Sequence, residues 1–171
     1  MIENKVAASG ILTLDLAPYC ETETIPFDLQ PFLFRGLILK EKDFREALRT
    51  ADYEVYEGKN VALFCSTDAI IPVWAYALAT IHLKAVAKGV YYGTEESVHH
   101  QLLAENIRQQ VHPEDYAGKR VVLKGCGDVA IPPAAYIAAA SLLQPVVQSL
   151  MFGEPCSTVP LFKKKAAATA V

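Results

Sequence analysis

The chain has 171 residues, of which 52% are hydrophobic and 20% charged, with a net charge of -3 at pH 7. This composition supplies a substantial core and suits a single α/β domain at residues 1–162, followed by a flexible tail at 163–171. No basic run exceeds Lys163-Lys164-Lys165, so a broad phosphate-contacting surface is missing and nucleic acid is excluded as a partner.

The opening MIENKVAASGILTLDLAPY places Glu3 beside Lys5 and breaks its apolar stretch at Asp15. It is too short and wrongly flanked for a signal peptide, which points to a cytoplasmic protein. ILTLDL (11–16) predicts an edge strand, and Cys20 falls in a separate turn, APYCETET. PFLFRGLILKEKDFREALRT predicts a strand and then a helix, with Phe44 and Leu48 at helical spacing. VALF (61–64) predicts a strand that ends at Cys65. Pro72 then opens a helix, because the missing N–H would have no intrahelical partner at that position. The helix body, WAYALATIHLKAVA, is apolar nearly all round, the pattern of a helix covered on several sides. A second short strand ends at Gly93, and a strand, helix and strand at this spacing form a right-handed crossover between parallel strands. EESVHHQLLAENIRQQV (95–111) reads as a more amphipathic connecting helix.

Residues 56–93 then repeat at 116–153 without a gap. Tyr56, Gly58, Lys59, Val61, Leu63, Asp68, Ile71, Pro72, Tyr76 and Gly93 meet Tyr116, Gly118, Lys119, Val121, Leu123, Asp128, Ile131, Pro132, Tyr136 and Gly153. The second copy therefore predicts the same strand, a helix from Pro132 and a strand ending at Gly153. Residues 129–153 carry no charge and approach the length of a membrane span. Pro132, Pro133 and Pro145 interrupt them, and His82, Lys84 and Lys88 stand where this copy has Leu142, Gln144 and Gln148, so no membrane contact is expected. The whole predicts an α/β three-layer sandwich with a mainly parallel central sheet and an internal duplication of a β-α-β unit.

Parallel sheets bind ligands outside the carboxyl ends of their strands. Cys65, Cys126 and Cys156 all fall at such positions, and if their strands are neighbours the three thiols meet at one sheet edge. A nearby helix N-terminus favours the thiolate, the form that ligates metals and attacks substrates. Three thiolates suit zinc, with Asp68 or Asp128 as a further ligand, or an iron–sulfur cluster with one open iron. Several features weigh against that site. Free cysteine usually packs as a small hydrophobe, aspartate before a helix more often caps it, and Cys65 aligns with Gly125 while Cys126 aligns with Ser66. Structural disulfides are not expected in a reducing cytosol. Two alternatives stand beside the metal reading. One is a thiol-dependent enzyme with Cys65 as nucleophile near Asp68 or Tyr76. The other is a non-catalytic interaction protein with inert cysteines, a possible homodimer through the apolar helices at 72–88 or 132–147. No G-x-S-x-G, G-x-G-x-x-G or G-x-x-x-x-G-K-[ST] loop occurs. Tyr76 and Tyr136 recur one turn into each helix and are expected to pack their rings and bond their hydroxyls.

The segments GLILKEKDFR (36–45), CSTDAIIPVWAY (65–76), KGC (124–126) and LQPVVQSLMFGEPCSTVPL (143–161) resemble a bacterial family known as domain of unknown function 2480. The resemblance extends from about residue 5 to residue 165. It implies no established activity. It does imply the company of iron–sulfur assembly proteins of the sulfur-mobilisation type, and so an accessory role in that assembly. Cys65, Cys126 and Cys156 lie inside the matching segments, Cys20 lies outside them, and the final AAATAV looks unlike the family.

Overall fold

A computed structural model describes residues 10–20, 23–124, 130–154 and 157–165. The chain divides into two compact units, one of Thr22–His99 and one of Met1–Glu21 with His100–Val171. In chain order the elements are β1 (Ile11–Leu14), β2 (Thr24–Asp28), β3 (Leu33–Phe34), β4 (Ile38–Leu39), α1 (Glu41–Thr50), β5 (Asn60–Phe64), α2 (Val73–Leu83) and β6 (Gly89–Tyr92). They continue with α3 (Glu95–Gln110), β7 (Arg120–Lys124), α4 (Pro133–Leu143), β8 (Ser149–Glu154) and β9 (Ser157–Lys163).

In the Thr22–His99 unit, β5 lies between β2 and β6, both parallel to it, with Asn60 opposite Thr24 and Gly89. In the other unit β7 lies between β1 and β8 in the same way, with Arg120 opposite Ile11 and Ser149, and β9 adds an antiparallel edge to β8. The strands β3 and β4 form a small hairpin whose turn puts Arg35 and Gly36 at positive φ. The described strands thus lie in sheets of four, three and two, not in one central sheet. Each central strand has one parallel neighbour from its own crossover, β6 beside β5 and β8 beside β7, and one from an earlier strand, β2 beside β5 and β1 beside β7.

Local geometry repeats between the units at the spacing of the sequence repeat. Gly58 N–H donates to Val86 O at 3.0 Å and Gly118 N–H to Val146 O at 2.8 Å; Lys88 N–H donates to Lys59 O at 2.9 Å and Gln148 N–H to Lys119 O at 2.8 Å. The helices start after Pro72 and Pro132, as proline at a helix start predicts. Each buries a small-residue stripe, Ala75, Ala79 and Leu83 in α2, and Ala135, Ala139 and Leu143 in α4, which lets the helix lie close on its sheet.

The Thr22–His99 core joins Phe27, Val61 and Leu63 of the sheet to Phe44 and Leu48 of α1 and to the stripe of α2. The other core joins Val121, Leu123 and Leu150 to the α4 stripe and to Leu103 and Ile107 of α3. Helix α2 is nevertheless not covered on several sides as its composition suggests, since Val73, Ala77 and Ile81 are exposed. The expected tail at 163–171 is shortened at its start, because Lys163 pairs with Ser149 in β9; residues 166–171 lie outside the described residues. Among the described residues no helix is long and apolar enough to cross a membrane.

Candidate functional site

The ends of β2 and β5 are tied together by hydrogen bonds. Asp28 closes β2, and its Oδ1 accepts hydrogen bonds from Gln30 N–H at 2.9 Å and Ser66 N–H at 3.0 Å. Leu29 N–H donates to Phe64 O at 2.8 Å, carrying the ladder one step past the strand. Burial raises the Asp28 pKa, but hydrogen bonds from Ser66 and Gln30 outweigh it and hold the carboxyl below its usual range.

Cys65 follows β5 directly. It is half-buried at the margin of the core, with Sγ 3.3 Å from Thr67 Oγ1. Tyr76, one turn into α2, meets Tyr92 edge-on at 5.4 Å and 82°. Burial, then the ionised forms of Tyr92 and Cys65, push the Tyr76 hydroxyl up, so it stays protonated and able to donate near neutral pH. Asp68 is exposed. It does not cap α2, whose N-cap is Pro72 with no side-chain cap bond.

A counterpart stands at the end of β1. Asp15 Oδ1 accepts from Ala17 N–H at 3.0 Å, and Oδ2 pairs with Lys124 Nζ at 2.7 Å. The Lys124 hydrogen bond leads the lowering of the Asp15 pKa. Tyr136 Oη donates to Lys124 O at 3.1 Å, and its ring meets Phe152 edge-on at 5.2 Å, as expected of a packed, bonded tyrosine. Beside it a groove of about 390 Å³ is lined by Leu123, Ile131, Pro133, Tyr136, Phe152 and Leu161 among others.

Sequence reasoning missed both aspartates. The signal was a second, shorter repeat, Asp15-Leu16-Ala17-Pro18-Tyr19 against Asp28-Leu29-Gln30-Pro31-Phe32. In each, the aspartate bonds the amide two residues on, the leucine is fully buried and the proline sits in a 3-10 turn.

Of the predicted ligands, the structure places Cys65 and Asp68. Cys126, Asp128 and Cys156 lie outside the described residues. Among the described residues no group of three or more His, Cys, Asp or Glu side chains could hold a metal ion. Cys20 donates from Sγ to Leu16 O at 3.5 Å, and burial, then Asp15, push its thiol up, in keeping with an inert residue.

Fold and site together describe an α/β protein of two parallel-sheet units, each closed at one strand end by an aspartate turn. The chain belongs to the family described as Protein of unknown function (DUF2480), whose model matches residues 1–164. Comparison with curated proteins gave no match, and comparison with solved structures gave none.

Proposed function

We propose that the protein is a non-catalytic, cytoplasmic interaction protein whose partner surface is the outer face of α2 with the loop before it and the end of β6. One observation carries this reading: Ile70, Val73, Ile81 and Tyr92 are 91%, 83%, 71% and 72% exposed. Each such aliphatic side chain forgoes about 1.5–3 kcal/mol of burial in water, and clustered apolar side chains mark interaction sites. Val73, Ala77 and Ile81 follow at helical spacing on one face, and the ring of Tyr92 meets Tyr76 of the same helix. An ordinary surface helix turns charges outward, whereas α2 contains no Asp, Glu, Lys or Arg.

The test is photocrosslinking in cells from a benzophenone amino acid placed at position 81 of the full chain. Protein adducts that disappear with Val73→Glu support the reading. Absence of any adduct overturns it.

A second reading rests on the place of Cys65 at the carboxyl end of the central strand, beside Thr67 and Tyr76. With Cys126 and Cys156 joining it as ligands, it would hold zinc or an iron–sulfur cluster and serve iron–sulfur assembly, the company the family resemblance implies. Alone, it would be the nucleophile of a thiol-dependent enzyme. Metal and acid-labile sulfide per chain, measured after anaerobic purification, decide the first form. Iron and sulfide lost in Cys126→Ser support a cluster, stoichiometric zinc supports the zinc form, and a chain that resists reconstitution with either ends both. Alkylation of Cys65 only after denaturation would end the enzyme form. The hydrogen bonds shared by the two units support descent from a duplicated β-α-β unit.

A further inference from the structure

We propose that the β3–β4 hairpin is a membrane-surface anchor: Phe34, Leu37 and Ile38 enter the boundary between headgroups and acyl chains of an anionic bilayer, and Arg35 and Lys40 meet the lipid phosphates. The proposal stands apart from the α2 surface, and it concerns a shallow contact, not the span excluded at residues 129–153.

A hairpin on a protein surface ordinarily turns one face to the core and a polar face to water. Here Leu39 is buried and Leu33 half-buried against the core of the Thr22–His99 unit, and they form the inner face. The opposite face is apolar as well, because Phe34 pairs with Ile38 across the ladder and the two are 43% and 61% exposed. Leu37, in the turn, is 70% exposed. A Cβ placed on Gly36 would meet no atom within 4 Å, so the turn stands clear of the rest of the chain.

Two cations flank this tip. Arg35 Cζ lies 5.3 Å and Lys40 Nζ 3.3 Å from the centre of the Phe34 ring, and both residues are exposed. Among the described residues neither has a carboxylate partner. The nearest carboxylates in sequence, Glu41 and Asp43, belong to α1, where Lys42 and Arg45 offset them, Arg45 pairing with Glu41 at 2.9 Å. Arg35 is also the one non-glycine at positive φ among the described residues, at 54°, where glycine would sit without strain. Its charge is thus kept at the tip at a cost in backbone strain.

Convexity and size select the partner. A stable protein interface takes about 800 Å² from each side in a fitted surface, far more than three side chains on a projecting turn present. A lipid interface needs no fitted shape and receives apolar side chains with cations at the level of the phosphates. The chain as a whole is negative, at -3, so these two cations orient this end towards an anionic leaflet.

Co-sedimentation of the full chain with sucrose-loaded vesicles tests the anchor, one set of phosphatidylcholine alone and one of phosphatidylcholine and phosphatidylglycerol in equal parts. The wild type should bind the anionic set half-maximally at roughly 0.1–1 mM lipid, and the neutral set at least about tenfold more weakly. Leu37→Asn and Ile38→Asn should each weaken binding about fivefold or more, and Lys40→Gln about fivefold. Arg35→Gly should weaken binding by about the same factor without lowering the unfolding temperature, since glycine relieves the positive φ.

A wild type that ignores anionic vesicles overturns the proposal, as does equal binding to both sets. Binding that survives Leu37→Asn and Ile38→Asn combined also overturns it and moves the contact to Lys163-Lys164-Lys165. Glycerol phosphate at the headgroup concentration should not compete; displacement by it would refute insertion in favour of a phosphate site. Photocrosslinks from position 37 to a protein, with no vesicle binding, would replace the bilayer by a protein partner. All substituted positions are exposed, so unchanged circular dichroism checks that each variant is folded.

Discussion

Replacing Asp28 removes the acceptor that ties the turn after β2 to the loop after β5. Its Oδ1 receives Gln30 N–H at 2.9 Å and Ser66 N–H at 3.0 Å. A bond to an ionised acceptor contributes about 1.5–3 kcal/mol where water is excluded. These two lie near the surface, where water re-solvates the freed amides, so Asp28→Ala should lose about 1–2 kcal/mol in total. Asp28→Asn keeps an oxygen acceptor without the charge and should lose about half of that. The folded carboxyl titrates below its ordinary 3.8, since the Ser66 and Gln30 bonds outweigh burial. A depressed pKa contributes stability that is fully present above the ordinary carboxylate range and is lost as pH falls through the folded value. The gap between wild type and Asp28→Asn should therefore be widest at pH 7 and shrink towards pH 3. Urea unfolding read from Trp74, the single tryptophan and a residue of the same unit, is the assay. With a slope of about 1–3 kcal/mol per molar urea, Asp28→Ala should lower the midpoint by about 0.5–1 M at pH 7. A gap equal at pH 7 and pH 3, or no measurable gap at pH 7, would refute the assignment.

Substitutions at four further positions probe the other unit and its chain turns. Leu143→Ala, at a fully buried site of the α4 stripe, should cost about 3 kcal/mol in thermal or urea unfolding, and Leu143→Met under about 1.5 kcal/mol. Gly153 has φ 123°, and a Cβ there would lie 2.6 Å from Ser157 O, so Gly153→Ala should cost more than about 2 kcal/mol. Gly118→Ala, at φ 67° with open space around it, should cost only about 1 kcal/mol, and comparing the two melting temperatures separates the clash from the dihedral. Tyr136→Phe removes the bond to Lys124 O but keeps the ring on Phe152, and should cost about 1 kcal/mol in the same assay.

The elements best legible in the sequence were those with local causes. Pro72 and Pro132 mark the helix starts, Phe44 and Leu48 mark the buried face of α1, and VALF ends β5 at Cys65. The strands overlooked, β2 and β9, each contain a proline, Pro26 and Pro160. Proline argues against a strand unless the strand lies at a sheet edge, where its missing N–H breaks no central ladder. Both do lie at edges, and β9 pairs across an irregularity near Met151. Asp28 stayed hidden because its repeat with Asp15 is only five residues long and its bond to Ser66 joins positions 38 residues apart.

The sequence by itself determined the repeated local geometry, since the glycine turns and the proline helix starts act through neighbours in the chain. It also determined that Cys65 and Tyr76 stand at strand and helix ends. Only the tertiary structure decided which sheet each strand joins, because backbone donors and acceptors are satisfied equally by any edge of matching direction. The tertiary structure alone also decided which face of α2 remains in water. A helix apolar on every side carries no periodic signal of its inner face, so the exposure of Val73, Ala77 and Ile81 followed from where Ala75, Ala79 and Leu83 meet the sheet.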